Sequence, residues 1–217
     1  MTLTVLVPVL QRPHRVRPLL ESIRDTAPEA RTLFLADPDD AEEIVAIDEA
    51  MHDFGERFVS YMLVDGGYAV KINQGVLATD TDYVFLGADD LEFQPGWLDA
   101  SRSLIESGAA AVVGVNDLIP RPHREHATHF LVSREYAERG QFDGEAGLLH
   151  EGYHHWYVDD ELIAVACTRG AYVYSERSHV RHLHPIVGGE DDDTYRRGRL
   201  NAGADRSLFR RRQKLWT

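Results

Sequence analysis

Tyr83-Val84-Phe85-Leu86-Gly87-Ala88-Asp89-Asp90, continuing as Leu91-Glu92-Phe93-Gln94-Pro95-Gly96-Trp97-Leu98, is the stretch that decides the fold. Its first four residues are apolar without alternation, which reads as a strand buried on both faces, as in a parallel sheet. The glycine ends the strand, and two aspartates fall where the chain leaves its carboxyl end. In an open α/β sheet that edge is where ligands bind. Two carboxylates there suit a hard divalent cation, and such a cation bridges a diphosphate. The same pair also suits a strand-to-helix turn whose aspartates cap backbone amides, so the chemistry has to be argued from the neighbouring segments.

Outward from this stretch, strands and helices alternate. Residues 3–10 form an apolar run that reads as a buried parallel strand. Val16, Leu19, Leu20 and Ile23 follow at i, i+3, i+4 and i+7, an amphipathic helix with Pro18 placed in its first turn, where proline is tolerated. Residues 33–36 are a second strand, ending at Asp37-Pro38-Asp39-Asp40. Ile44, Ile47, Met51 and Phe54 mark a second helix with acidic residues in its first turn. Residues 58–64 read as a third strand broken by Gly66-Gly67, residues 68–77 as a short helix, 95–106 as another, and 110–115 as a further strand. The alternation through residue 115 predicts a parallel, nucleotide-binding type of sheet.

Beyond residue 115 the pattern is less regular, and nine of the eleven histidines lie from His123 onward. A strand is expected at 130–133, a helix at 159–167 burying Cys167, and strands at 171–175 and 179–183. An acidic segment, Glu190 to Asp193 followed by Thr194-Tyr195, reads as a solvated turn in preference to a loop over a diphosphate, and the basic tail containing Arg196, Arg197, Arg199, Arg210, Arg211, Arg212 and Lys214 either offsets donor phosphates or is a solvated end.

Composition narrows the function classes. A length of 217 residues predicts one domain, and 43% apolar with 27% charged residues is ordinary for a soluble globular chain. A net charge of -13 disfavours nucleic acid and anionic membranes as partners. The single cysteine, Cys167, allows no internal disulfide and suits a reducing compartment. The N-terminus has no basic region before its short apolar run, and no segment holds 18 successive apolar residues, so neither a signal peptide nor a membrane span is expected and the location expected is cytoplasmic.

The paired aspartates followed by Phe93-Gln94-Pro95-Gly96-Trp97-Leu98 resemble the signature of family 2 glycosyltransferases of the GT-A fold. That family usually writes Asp-x-Asp here. Gly87 replaces its first acidic position and with it the ribose or second metal contact that position implies, and the later aspartate, the family's main metal ligand, corresponds to Asp89, with Asp90 and Trp97 as additional candidates. Gly67-Tyr68-Ala69-Val70-Lys71-Ile72-Asn73-Gln74-Gly75 is similar to the family's Gly-x-Ala-x-Ala-Arg-Asn-x-Gly near the nucleotide, with Lys71 in place of arginine. Lysine keeps the charge and loses the bidentate fork. Pro8-Val9-Leu10-Gln11-Arg12-Pro13 resembles the loop over the base, and Asp37 the acidic residue that hydrogen-bonds it, while Asp39 and Asp40 read as helix caps. The resemblance therefore implies donor binding by Pro8, Leu10, Arg12, Asp37, Lys71, Asn73 and Asp89.

Downstream, Tyr157-Val158-Asp159-Asp160-Glu161-Leu162, with Arg169-Gly170 beyond, resembles the family's acidic pair at the start of an acceptor-side helix. It implies Asp159 as catalytic base, Asp160 as its fallback and Glu161 as an additional candidate. An inverting transfer needs a carboxylate that takes the acceptor proton. His182-Leu183-His184-Pro185 follows an expected strand, with both imidazoles on one face. Many GT-A enzymes complete their metal site with a C-terminal histidine, which implies His184, then His182. Oxygen plus imidazole ligands favour Mn2+, with Mg2+ as the other choice.

The resemblance thus implies a GT-A-like α/β fold: a Rossmann-type, mostly parallel sheet flanked by helices, with a smaller C-terminal acceptor-side region. Residues 1–115 would bind a UDP- or GDP-sugar, and 116–217 would supply the base and contacts to a glycan, protein or small-molecule acceptor, in a hexosyl transfer. A sugar nucleotidyltransferase is disfavoured because the loop from Val9 to Arg15 has no glycine, and a dinucleotide dehydrogenase because Gly-x-Gly-x-x-Gly is missing. The remaining rival is a catalytically decayed GT-A protein that binds a sugar or nucleotide without turnover, to which the Gly87 and Lys71 departures point.

Overall fold

A computed structural model describes residues 2–120 and 126–217; His123 lies outside them. It builds one eight-stranded sheet in the order β3-β2-β1-β4-β7-β6-β8-β5. The strands are β1 (Leu3–Pro8), β2 (Arg31–Ala36), β3 (Val59–Leu63), β4 (Tyr83–Leu86), β5 (Leu91–Phe93), β6 (Val112–Asn116), β7 (Phe130–Ser133) and β8 (Tyr172–His182). Pairs β1–β2, β2–β3, β1–β4 and β6–β8 are parallel, and β7 runs antiparallel between β4 and β6. Residues past 115 therefore complete the sheet started by residues before it.

Both faces of the sheet are covered, which explains the unbroken apolar runs. Val5, Val7, Phe34 and Phe85 pack toward α1 (Pro13–Thr26), α2 (Ala41–Phe54) and α4 (Trp97–Glu106). Leu6, Leu35, Val84 and Leu86 pack the other way, against α3 (Tyr68–Leu77) and α6 (Val158–Thr168). The remaining helices are the single turn α5 (Arg134–Ala137) and a long C-terminal α7 (Asp193–Arg212). Among the described residues no helix is long and apolar enough to cross a membrane.

Several expectations are corrected. The first strand stops at Pro8, because the chain turns through Gln11 at φ 57 to begin α1 at Pro13. Pro13 holds the first helical turn, and Pro18 sits inside the helix instead. The two strands expected at 171–175 and 179–183 are one, β8, whose register against β6 shifts between Val115 and Asn116. Cys167 is exposed on α6. The tail is a helix of 20 residues, α7; its Arg196, Arg197, Arg199, Arg210 and Arg211 are exposed as expected, and the correction is Arg212, which is buried with Tyr195, Gly198 and Asp205.

The end of β8 wedges between β6 and β5, with His182 N–H donating to the Asp117 carbonyl at 3.1 Å and Leu183 N–H to that of Asp90 at 2.8 Å. The register pairs His182 with Leu91. An imidazole is thereby fixed beside the turn that carries Asp89 and Asp90.

Candidate active site

β4 delivers Asp89 and Asp90 to the carboxyl edge of the sheet, where both are buried. Gly87 is where the backbone comes close: a Cβ there would stand 3.0 Å from the Leu6 carbonyl oxygen. An acidic side chain at that position would require the strand to shift, a steric reason for the missing first aspartate.

Arg12 occupies the space between the carboxylates. Its Nη1 donates to Asp89 Oδ1 at 2.7 Å and to Asp90 Oδ2 at 3.3 Å. The opposite side of the same guanidinium is chelated by Asp192, the N-cap of α7, at 2.7 Å from Nε and 2.9 Å from Nη2. The loop that places Arg12 is tied to the start of α2: Gln11 N–H donates to Asp40 at 2.6 Å and Arg12 N–H to Glu43 at 2.7 Å. These bonds hold Gln11 in the left-handed region that a side chain other than glycine seldom adopts. Burial pushes the Glu43 carboxyl up to about 7, against the pull of the Arg12 amide.

A second layer surrounds Asp90. Tyr195 O–H donates to its Oδ2 at 2.5 Å, and His182 Nε2 lies 3.4 Å from Oδ1. His182 Nδ1 faces Asp117 at 3.9 Å. Burial alone would lower the His182 pKa, but Asp117 and Asp90 raise it to about 9, so the ring is a cation at neutral pH. Burial lowers neighbouring His129 to about 4, keeping it neutral. Against the cost of burial, His182, Tyr195 and Arg12 hold Asp90 well below the usual carboxylate range, while burial and the charge of Asp90 push Asp89 up.

The second acidic cluster opens α6. Tyr157, in left-handed conformation at φ 68, caps this helix and turns Asp159 and Asp160 into its first turn. His126 Nε2 lies 3.6 Å from Asp159 and 3.3 Å from Asp160. Burial and the charge of Asp160 raise the Asp159 pKa, with His126 opposing. Among the described residues, His126, Asp159 and Asp160 are the one group of three potential ligands whose atoms lie within 4.8 Å of one another. Tyr68, at the start of α3, has a buried hydroxyl with no hydrogen-bond partner, and burial, Asp159 and Asp90 all raise its pKa.

The other sequence candidates divide. Lys71 donates to Asp37 at 2.5 Å and to the Val9 carbonyl at 2.8 Å, bracing the ends of β1 and β2. Pro8 ends β1, and the Leu10 carbonyl accepts from Thr194 at 3.2 Å, which puts this loop under the head of α7. Asp40 caps α2 as expected. His184 stands farther out, its ring 4.9 Å from Tyr195 and 5.2 Å from His182, so His182 is the histidine that touches Asp90. Three candidates turn elsewhere. Trp97 is fully buried against Phe85 and Phe93. Asn73 bonds the loop at Leu148, Leu149 and Glu151. Glu161 pairs with Arg212 at 2.8 Å and accepts from Tyr153.

Glu43, Asp192, Tyr195 and His126 reach these clusters without belonging to any motif. An acidic residue before a helical stretch is the one sequence signal that points to Asp192 as a cap. The Asp205 carboxylate, on α7, accepts the amides of His154, His155 and Trp156 at 3.0, 3.0 and 2.9 Å, fixing the loop into α6.

The family model described as Glycosyl transferase family 2 matches residues 4–164. The chain belongs to this family. No curated protein matches it. Among solved structures it is similar in fold to the mannosyltransferase PcManGT from Pyrobaculum calidifontis in complex with GDP-Man and Mn2+, at 13% identity and a TM-score of 0.71, covering 91% of this chain and 60% of that one. It is also similar to S. aureus TarS in complex with UDP-GlcNAc, at 13% identity and 0.63, covering 88% and 62%. A third is glucosyl-3-phosphoglycerate synthase from Mycobacterium tuberculosis with Mn2+, UDP-glucose and phosphoglyceric acid, at 17% identity and 0.56, covering 84% and 72%. The chain thus spans less than two-thirds of the length of the first two proteins. These likenesses establish the GT-A fold, and the family segment carries both acidic clusters and ends within α6.

Proposed function

We propose that this chain transfers a hexose from a UDP- or GDP-sugar to an acceptor hydroxyl, with inversion, using Asp159 as the base. The observation that carries the reading is the carboxyl edge of the sheet: Asp89 and Asp90, buried at the end of β4, converge on one cationic nitrogen of Arg12, and a second carboxylate pair opens α6. Displacement at an anomeric carbon requires both a group that gathers a cation for the leaving diphosphate and a carboxylate that takes the acceptor proton.

The residues fit a divalent cation. Asp89 and Asp90 already converge on one positively charged nitrogen, so their oxygens define a cation position. Asp89 and Asp90 would hold Mn2+ or Mg2+, with His184 or His182 as the nitrogen ligand once the surrounding ion pairs rearrange. When bound, the metal supplies charge neutralisation for the departing diphosphate. Asp159 accepts the acceptor proton as the hydroxyl oxygen bonds the anomeric carbon and the sugar–phosphate bond breaks. Burial and Asp160 raise its basicity for that task, and His126 restrains both carboxylates. Residues 1–115 supply the nucleotide side of the site, and residues 116–217 the base and acceptor side. Lys71 acts through Asp37, which it holds toward the base, and not on the phosphates.

A thermal-shift panel of UDP- and GDP-sugars with and without Mn2+ tests the donor and the metal together, and released nucleotide tests transfer. Stabilisation that depends on both components, with nucleotide release on adding acceptor, is expected. The engagement of Lys71 by Asp37 favours one rival, a sugar-nucleotide binder without turnover. That rival would be stabilised yet release no nucleotide. Retained transfer in both Asp159→Asn and Asp160→Asn would refute the base assignment.

A further inference from the structure

Arg12 is more thoroughly engaged than a donor-binding arginine waiting for ligand. It is 4% exposed, and every face of its guanidinium has a partner. One edge meets Asp89 and Asp90, the other is chelated by Asp192, and the plane lies 4.8 Å from the Tyr195 ring centroid. The two α7 residues in this arrangement are linked, because Asp192 also accepts the Tyr195 amide at 3.1 Å and Tyr195 bonds Asp90. The head of α7 is thus fastened to the carboxylate pair by two routes, through Arg12 and through Tyr195.

A point cation and the Arg12 nitrogen cannot share the same two carboxylate oxygens at contact distance, since like charges repel strongly in a buried, low-dielectric setting. We propose that Arg12 is a positioning residue that competes with the divalent cation for Asp89 and Asp90, so that cation loading releases Arg12 together with the Asp192–Tyr195 head of α7. The proposal rests on the reading of Asp89 and Asp90 as the cation position. Without the cation, the arginine neutralises the pair and straps α7 down. With it, both fastenings to Asp90 and Asp89 are lost, and the segment over the Leu10 loop is free to move. By reciprocity, whatever loosens the strap tightens the cation.

The test is Mn2+ affinity, measured calorimetrically on the full chain without nucleotide, for the wild type, Arg12→Gln and Asp192→Asn. Asn caps helices as well as Asp, so the second variant keeps the start of α7 while removing the charge that chelates Arg12. Arg12→Gln is expected to bind Mn2+ more tightly, on the order of 5–150-fold, the usual span of a coupling between sites, with a smaller gain for Asp192→Asn. Hydrogen exchange at residues 192–196 of the wild type is expected to speed up on adding Mn2+. Equal or weaker Mn2+ binding in the variants, or slowed exchange of that segment, overturns the competition while leaving the cation position standing. Should Arg12→Gln fail to fold, Asp192→Asn and the exchange measurement decide alone. If none of the three proteins binds Mn2+, with or without UDP and GDP, the cation reading itself falls.

Discussion

The carboxylates at the end of β4 and those at the start of α6 are stabilised in different ways. Asp89 and Asp90 are buried and surrounded by Arg12, His182 and Tyr195. Asp159 and Asp160 are partly exposed, with His126 as their neighbour. Saturating an acid with buried cations lowers the proton affinity of Asp90, whereas the burial of Asp159 and the neighbouring charge of Asp160 raise that of Asp159. On the proposed reading, the first environment suits Asp90 to a cation, and the second suits Asp159 to taking a proton.

The largest effect should come from breaking the second cluster. Asp159→Asn is expected to lower transfer by about 10²–10⁴-fold, the usual worth of general base catalysis, with nucleotide affinity preserved. Steady-state rates beside a binding titration check this, and a loss of only a few fold would remove Asp159 from the role. The opposite signature is expected at the first cluster. Asp90→Ala leaves the Tyr195 hydroxyl without its acceptor and takes the Asp90 carboxylate away from His182 and Arg12, and breaking a buried ion pair costs about 3–5 kcal/mol. Urea unfolding should register it, while Asp160→Ala, at a partly exposed position, stays within about 1 kcal/mol.

A pH titration of stability sharpens the contrast. The folded pKa of His182, about 9, lies above its ordinary 6.5. The stabilisation from its charge is complete below pH 6.5 and is lost as pH rises through about 9. The unfolding midpoint should therefore fall across that window in the wild type and flatten in His182→Gln. An unchanged slope would mean that Asp90 and Asp117 do not hold the ring as a cation. The smallest effect is a displacement of the acid limb of the transfer rate. Activity rises with pH as Asp159 loses its proton, and Asp160→Asn removes a charge that keeps that pKa up. The limb should move to lower pH by a fraction of a unit, with the plateau rate retained. A limb that stays in place would separate the two acids.

Legibility in the sequence divides along a similar line. Helix α3 and strand β4 begin and end where the glycines at 66, 67 and 87 and the apolar spacing put them. The motif order led to both acidic clusters. The strand β5, three residues long, is too short to carry a period. Helix α7 was hidden for a different reason: its buried residues are Tyr195, Gly198, Asp205 and Arg212, which make no apolar stripe. That helix is held by ion pairs and amide caps whose partners lie about 50 to 180 residues away, and no local pattern announces them. For the same reason Glu161 looked catalytic when it is half of a pair with Arg212, and Asn73 looked like a donor contact when all its bonds go to one loop.

Asp205 collects three consecutive amides from the loop that leads into α6, and it does so from a helix lying wholly past residue 164, where the family match stops. The aim of Asp159 thus depends on a part of the chain that family resemblance does not describe. Grafting residues 4–164 onto another relative's C-terminus would carry over both acidic pairs and lose the carboxylate that holds the loop into α6. The conformation of the loop into α6 is therefore set by the tail, and substitutions in α7 reach the start of α6 through Asp205.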